Sequence, residues 1–145
     1  MNIRQILQSK SINALYSVSS DQTVLDGLKV MADKNIGALL VVDNGVLTGI
    51  FSERDYARKI ILKNRHSDET RIADVMTADV ITIGPEQSLE ECMVIMSDRH
   101  IRHLPVMDNE QLIGIISIND VVTAIIGDQK IRIDSLESYI TGSLY

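Results

Sequence analysis

At 145 residues the chain is the size of one ordinary domain, and its 45% apolar content suits a substantial core that must be aliphatic, because only 3% of residues are aromatic and none is Trp. The net charge of −6 excludes a broad nucleic-acid backbone interface, which rests on clustered Lys and Arg. One cysteine, Cys92, excludes an intrachain disulfide and a multi-Cys zinc site; with no basic, apolar leader and no apolar run near the ~18 residues that span a membrane, the expected location is cytoplasmic.

In chain order, Ile3-Arg-Gln-Ile-Leu7 forms an apolar preface, part of a flanking helical segment over 1–7. Tyr16–Val18 reads as a strand. Thr23 with Asp26 three residues on has capping-box spacing, and Val24, Leu28, Met31 and Ile36 recur with roughly helical period. Ala38-Leu-Leu-Val-Val42 is apolar on both faces, as in a covered strand. Asp43-Asn-Gly45 is a hairpin signal leading into Val46–Phe51, a helix follows Ser52, and Asn64–Thr70 is a polar linker.

The pattern then begins again. Ile72-Ala-Asp-Val-Met76 resembles the preface, and Val80–Ile83 reads as a strand. Ser88 and Glu91 repeat the cap spacing ahead of Leu89, Met93, Met96 and Ile101. Leu104-Pro-Val-Met107 is the covered strand, Asp108-Asn-Glu110 turns into Gln111–Ile116, and a helix follows Ser117. Gln129–Ile140, apolar at Ile131, Ile133, Leu136, Tyr139 and Ile140, predicts an additional amphipathic helix at a dimer edge, within a flanking segment 130–145.

Shifting the sequence by 65 positions lays Tyr16–Leu62 on Ile81–Gly127 without a gap, with 15 identities in 47 pairs. Chance would give about 3, so the chain is one unit written twice. The prefaces match at an offset of 69, which puts about four extra residues near Ser11–Ala14. The expected fold class is α/β (α+β), with tandem β-α-β-β-α repeats over 8–63 and 73–129.

Chemistry is concentrated in Gly49-Ile-Phe-Ser-Glu-Arg-Asp55 and Gly114-Ile-Ile-Ser-Ile-Asn-Asp120, where a strand runs into Gly-x-x-Ser-x-x-Asp and then a helix. Ser-x-x-Asp is a capping box, worth about 1 kcal/mol to the helix. It is also a place for an anion at free N–H groups, with Asp55 or Asp120 able to accept both hydrogens of a ribose diol. Arg54 and Asn119 share the same exposed turn, and Arg54 is the better phosphate partner. Arg99, His100, Arg102 and His103 crowd the start of a buried strand, whereas the first copy has Gly37 and Ala38 opposite Arg102 and His103. His66, His100 and His103 lack metal-site spacing, and Cys92, standing where the first copy has Gly27, is expected in the core. No nucleophile–base pair and no Walker or Rossmann glycine pattern occurs, which leaves catalysis without support.

These features together, the β-α-β-β-α repeat, the apolar strands after Ile36 and Ile101, and the Gly-x-x-Ser-x-x-Asp endings, resemble CBS domains, over nearly the whole chain. Ile50-Phe-Ser-Glu-Arg-Asp-Tyr-Ala-Arg-Lys59 and Ile101-Arg-His-Leu-Pro-Val106 are similar to small stand-alone bacterial CBS-pair proteins. The resemblance implies two repeats packed about a pseudo-twofold axis and clefts between them for AMP, ADP or ATP, with S-adenosylmethionine or NAD(H) as further adenosyl ligands. It implies ribose contacts from Asp55 and Asp120 and ribose or phosphate contacts from Ser52 and Ser117. Backbone near Thr82 and Pro105 would frame adenine at the second-repeat site, with Ser17, Gly37 and Leu40 at the matching places of the first. Arg102 and His103 match phosphate-facing positions; Gly37-Ala38 departs from that pattern.

Function is accordingly expected to be non-catalytic, adenine-nucleotide-dependent regulation of an unknown enzyme by a homodimer. Apolar helix faces at Tyr56–Ile60 and Val121–Ile125 are expected to supply its interface. The competing expectation is a structural interaction module in which Ser-x-x-Asp only caps helices.

Overall fold

The structure, a computed structural model, describes residues 1–10 and 14–140; of the last helix, side chains are described as far as Lys130 and at Ile133. The four extra residues expected near Ser11–Ala14 fall largely on 11–13, outside the described residues, as do 141–145 of the C-terminal flank. The fold is mixed α/β and divides into two compact units. One is Ala14–Thr82; the other joins Met1–Asn13 to Ile83–Tyr145. Each packing unit is therefore completed by the preface of the other sequence repeat.

In the unit Ala14–Thr82, β1 (Ser17–Val18) runs parallel to β2 (Ala38–Asp43), which pairs antiparallel with β3 (Val46–Ser52). Helix α2 (Val24–Lys34) opens on the predicted box: Thr23 Oγ accepts the Asp26 N–H and Asp26 accepts the Thr23 N–H, both at 3.2 Å. It closes on Asn35 at φ 54°, left-handed backbone that Asn tolerates. Ala38 through Val41 are all buried, as the two-sided apolar pattern of β2 requires. Val18, Val24, Met31, Leu39, Val41, Phe51, Ile60, Ile72 and Val75 form one core cluster. Burying each such side chain contributes roughly 1.5–3 kcal/mol.

After β3 the chain makes a short helix α3 (Glu53–Asp55) and then a π-helical segment, Tyr56–Ile61, in place of the regular helix expected from the sequence. The Leu62 N–H reaches back five residues to the Ala57 carbonyl at 3.0 Å. Such insertions often stand beside functional positions. A 3-10 turn at Ile72–Asp74 returns to this unit, donating from the Ile72 N–H to the Gln22 carbonyl and from Ala73 to Ser20. Met76 then lies over Gly49, where a Cβ would meet its sulfur at 2.6 Å.

The second unit repeats this plan with other side chains. Helix α1 (Ile3–Ser9) supplies what the 3-10 turn supplies above: Ile3 donates to the Gln87 carbonyl and Arg4 to Pro85, both at 2.9 Å. Leu7 lies over Gly114, where a Cβ would approach it to 2.6 Å. The glycine of each Gly-x-x-Ser-x-x-Asp motif is thus needed for the close approach of a preface segment. Helix α4 (Leu89–Arg99) begins at Ser88, whose hydroxyl accepts the Glu91 N–H. Only half of the expected box forms, because the Glu91 carboxylate accepts from Gln87 Nε2 instead.

Strands β4 (His103–Asp108) and β5 (Gln111–Ser117) form the second hairpin. The strand expected over Val80–Ile83 is reduced to a single bridge from Ile83 to Val106. The reason is Pro105. Its counterpart Leu40 donates an N–H to Tyr16 in the first unit, and proline has none to give. Helix α5 runs unbroken from Ile118 to Ile140, so the separate helix expected at Gln129–Ile140 is its continuation. Of the apolar positions named for that segment, the side chains of Ile131, Leu136, Tyr139 and Ile140 lie outside the description.

The helix faces expected to carry exposed apolar surface, Tyr56–Ile60 and Val121–Ile125, are only partly exposed. Ile60 and Val121 are core, while Ile61, Leu62, Ile118, Val122 and Ile126 are exposed. Cys92 is fully buried in α4, and burial pushes its thiol up to about 11.

Candidate functional site

In both units the antiparallel hairpin delivers Ser and Asp to the start of a helix. β3 ends at Ser52, which pairs with Ala38, and the Glu53 N–H donates to the Gly37 carbonyl at 3.1 Å. β5 ends at Ser117, which pairs with His103, and the Ile118 N–H donates to the Arg102 carbonyl at 2.9 Å. Gly37-Ala38 and Arg102-His103 therefore hold equivalent backbone positions beside the two helix starts, as their spacing implied. One pair brings no charge and the other brings two basic side chains.

Both capping boxes are formed. Ser52 N–H donates to Asp55 Oδ2 at 3.0 Å, and the Asp55 N–H returns to Ser52 Oγ at 3.2 Å. Ser117 N–H donates to Asp120 Oδ2 at 2.8 Å, with the Asp120 N–H on Ser117 Oγ at 3.2 Å. In the first box alone the serine hydroxyl also donates to Oδ2, at 3.2 Å.

Each carboxylate then meets a lysine that the sequence reading missed. Lys59 Nζ is 3.0 Å from Asp55 Oδ1 and donates to the Val75 carbonyl at 2.8 Å. Lys10 Nζ is 3.0 Å from Asp120 Oδ2 and donates to the Ile115 carbonyl at 2.8 Å. Lys59 stands four residues after Asp55 on the same helical path, a spacing that sequence alone offers. Lys10 carries no such signal, since it follows α1 and reaches Asp120 only because α1 packs against β5 and α5.

The remaining predicted positions divide by unit. Ser17 is in register with buried Leu40 on β1 and β2, and Arg54 is exposed on α3. Exposed Thr82 directly precedes Ile83, whose N–H donates to the carbonyl of buried Pro105. Arg102 and Asn119 are exposed and His103 is half-buried. His100 is the left-handed C-cap of α4, φ 54°, matching Asn35 of α2. A hollow of about 310 Å³ lies between the end of α2 and the start of α3, lined by Leu28, Met31, Ile36, Gly37 and Glu53 among others. Asp55 is not part of its wall, which includes polar Asn35 and Glu53 beside the apolar side chains.

Among the described residues no three His, Cys, Asp or Glu side chains converge as a metal site. No described helix is long and apolar enough to cross a membrane.

The CBS domain family model matches residues 4–62 and 72–127. The chain is 40% identical over 148 residues to the CBS domain-containing protein CBSX3, mitochondrial, of Arabidopsis thaliana, covering 97% of this chain and 72% of that one. A solved CBS-domain protein from Burkholderia ambifaria MC40-6 is 48% identical, with a TM-score of 0.86 over 89% of this chain and 96% of that one. The CBS domain pair of protein MJ0100, solved with 5′-methylthioadenosine and S-adenosyl-L-methionine, is 26% identical, with a TM-score of 0.77 over 88% and 98% of the two chains.

Proposed function

The chain belongs to the CBS-domain family, and we propose on that footing that it is a non-catalytic regulatory module that binds adenine nucleotides through Asp55 and Asp120. The observation that carries this reading is the duplicated constellation itself: a carboxylate held at a helix start by a serine, built in both units by Ser52–Asp55 and Ser117–Asp120. The positive end of such a helix start favours an anion, and the carboxylate suits a ribose diol. A nucleotide offers both. The adenosyl ligands of the MJ0100 pair support the same class.

AMP, ADP or ATP is the expected ligand, with S-adenosylmethionine and NAD(H) as the adenosyl alternatives. Arg102 and His103 beside Asp120, and Arg54 beside Asp55, supply positive charge for phosphate. The exposed residues Ile118, Val122 and Ile126 recur at four-residue spacing on α5, an apolar stripe suited to a homodimer. In such a cytoplasmic dimer, nucleotide acts on a partner enzyme to the extent that it binds one dimer conformation better than another.

The closed capping boxes favour one other reading, an interaction module without ligand. Calorimetric titration of nucleotide-free protein with AMP, ATP, NADH and S-adenosylmethionine separates the two. Saturable binding lost in folded Asp55→Ala or Asp120→Ala protein is the expected result. No heat with any ligand, together with a melting temperature unmoved at high ligand concentration, would leave the interaction module standing.

A further inference from the structure

The two carboxylates are equivalent in sequence but differ in how much of their hydrogen-bonding capacity the protein uses. An ionised carboxylate has about four acceptor positions, two on each oxygen. Asp55 spends three: Oδ2 accepts from the Ser52 N–H and hydroxyl, and Oδ1 from Lys59. Asp120 spends two, both on Oδ2, from the Ser117 N–H and Lys10. Among the described residues, Oδ1 of Asp120 receives no donor.

A vicinal diol brings two donors. Asp120 accommodates both on Oδ1 with Lys10 in place, whereas Asp55 has one position left and must release Lys59 or the Ser52 hydroxyl. The lysines differ in the same sense. Each lysine bridges its carboxylate and a backbone carbonyl, Ile115 for Lys10 and Val75 for Lys59, but the Lys10 side chain is 16% exposed and that of Lys59 40% exposed, which gives Lys59 the readier path outward.

We propose that Lys59 is a releasable latch on Asp55, so that the first-repeat site accepts a nucleoside only when the ligand brings its own anion, while Asp120 is open from the outset. A 5′-phosphate on a ribose held by Asp55 falls within the sweep of the Lys59 side chain and replaces the carboxylate as its counter-ion. A phosphate-free nucleoside takes the carboxylate from Lys59 and supplies no counter-ion, leaving the ammonium with the neutral Val75 carbonyl. Lys59 is therefore a specificity-determining residue, and the inference rests on the nucleotide-binding reading above.

Titration of the Asp120→Ala chain with AMP and with adenosine isolates the Asp55 site. AMP is expected to bind at least roughly tenfold more tightly than adenosine, the scale of one hydrogen bond to a charged group. Lys59→Met, which keeps the aliphatic stem, should strengthen adenosine binding and weaken AMP binding, and Lys59→Arg should retain the preference. Opposite movement of the two ligands is the signature, because a purely structural role for Lys59 moves both the same way. Equal binding of the two ligands, movement in one direction, or an Asp55 site that binds neither while the unsubstituted chain binds both would overturn the latch and leave the nucleotide reading intact. Failure of the unsubstituted chain to bind AMP and adenosine at all would instead remove the reading and the latch together.

Discussion

The two repeats share a backbone and disagree over how to stabilise it. Each brings a preface segment over a motif glycine, but one preface is a 3-10 turn ending near Met76 and the other is helix α1 carrying Leu7. Each holds its aspartate with a serine and a lysine, yet one lysine comes from the following helical segment and the other from the chain's beginning. Asp43 accepts from the Ser20 N–H and the Thr48 hydroxyl, both at 2.9 Å, where its counterpart Asp108 meets Arg4 at 3.5 Å. Backbone geometry is the inherited part of the design. Side-chain partners were found afresh in each copy, and that is where unequal ligand preference can arise.

The largest break in this comparison should come from the cores. Phe51 and its counterpart Ile116 are both fully buried, but only the first repeat relies on an aromatic side chain. Phe51→Ala should cost roughly 3–5 kcal/mol and Ile116→Ala about 3 kcal/mol in urea unfolding, the larger loss following the larger cavity. Equal losses would mean that the first core closes around its cavity.

Next in size are the motif glycines. Gly49→Ala and Gly114→Ala should each cost about 1–3 kcal/mol through overpacking. The Gly114 substitution should be the one that loosens α1, because buried Leu7 has little room to withdraw. Faster hydrogen exchange across Ile3–Ser9 in that variant alone would confirm the assignment; unchanged exchange would refute it.

The hairpin turns offer a finer test. Asn44 and Gly45 sit at φ 52° and 77°, and Asn109 and Glu110 at 48° and 69°. Left-handed backbone at two adjacent turn residues is the type I′ hairpin signature, for which Asn-Gly is favoured. Glu110→Gly should therefore raise stability by about 0.5–1 kcal/mol, and Gly45→Ala should lower it by about 1–2 kcal/mol, both read from the thermal midpoint.

The smallest effect concerns acid. The backbone N–H of Ser20, and then the Thr48 hydroxyl, hold the Asp43 carboxyl below the usual carboxylate range. A lowered folded-state pKa contributes stability that is present above the ordinary value, about 4, and is lost as pH falls through the lowered one. Asp43→Asn should flatten the acid side of the stability–pH curve, and an unaltered curve would show that the hydrogen bonds to Asp43 do not couple to folding.

Much of this could be read along the chain. The 65-residue repeat, the two-sided apolar strands, the Asn-Gly turn and the Ser-x-x-Asp helix starts all depend on neighbours within a few positions, and all appear where spacing put them. The missing second-repeat strand was legible in principle from Pro105, whose lost N–H has a local consequence. The apolar faces expected over Tyr56–Ile60 and Val121–Ile125 include Ile60 and Val121, which packing turns into the core, and Val122, which it leaves exposed. Apolar residues stand on both sides of that boundary, and only packing decides which of them turns inward.

Sequence by itself determined that the chain is a duplicated α/β unit with one serine-held carboxylate at a helix start in each copy, because periodicity and capping are short-range rules. Tertiary structure alone decided which preface completes which unit and which ammonium group faces which carboxylate. Lys10 lies far from Asp120 along the chain, and no local spacing relates them. Their 3.0 Å pairing exists because Leu7 fills the space that Gly114 leaves open, fixing α1 where the residue that follows it, Lys10, reaches the start of α5.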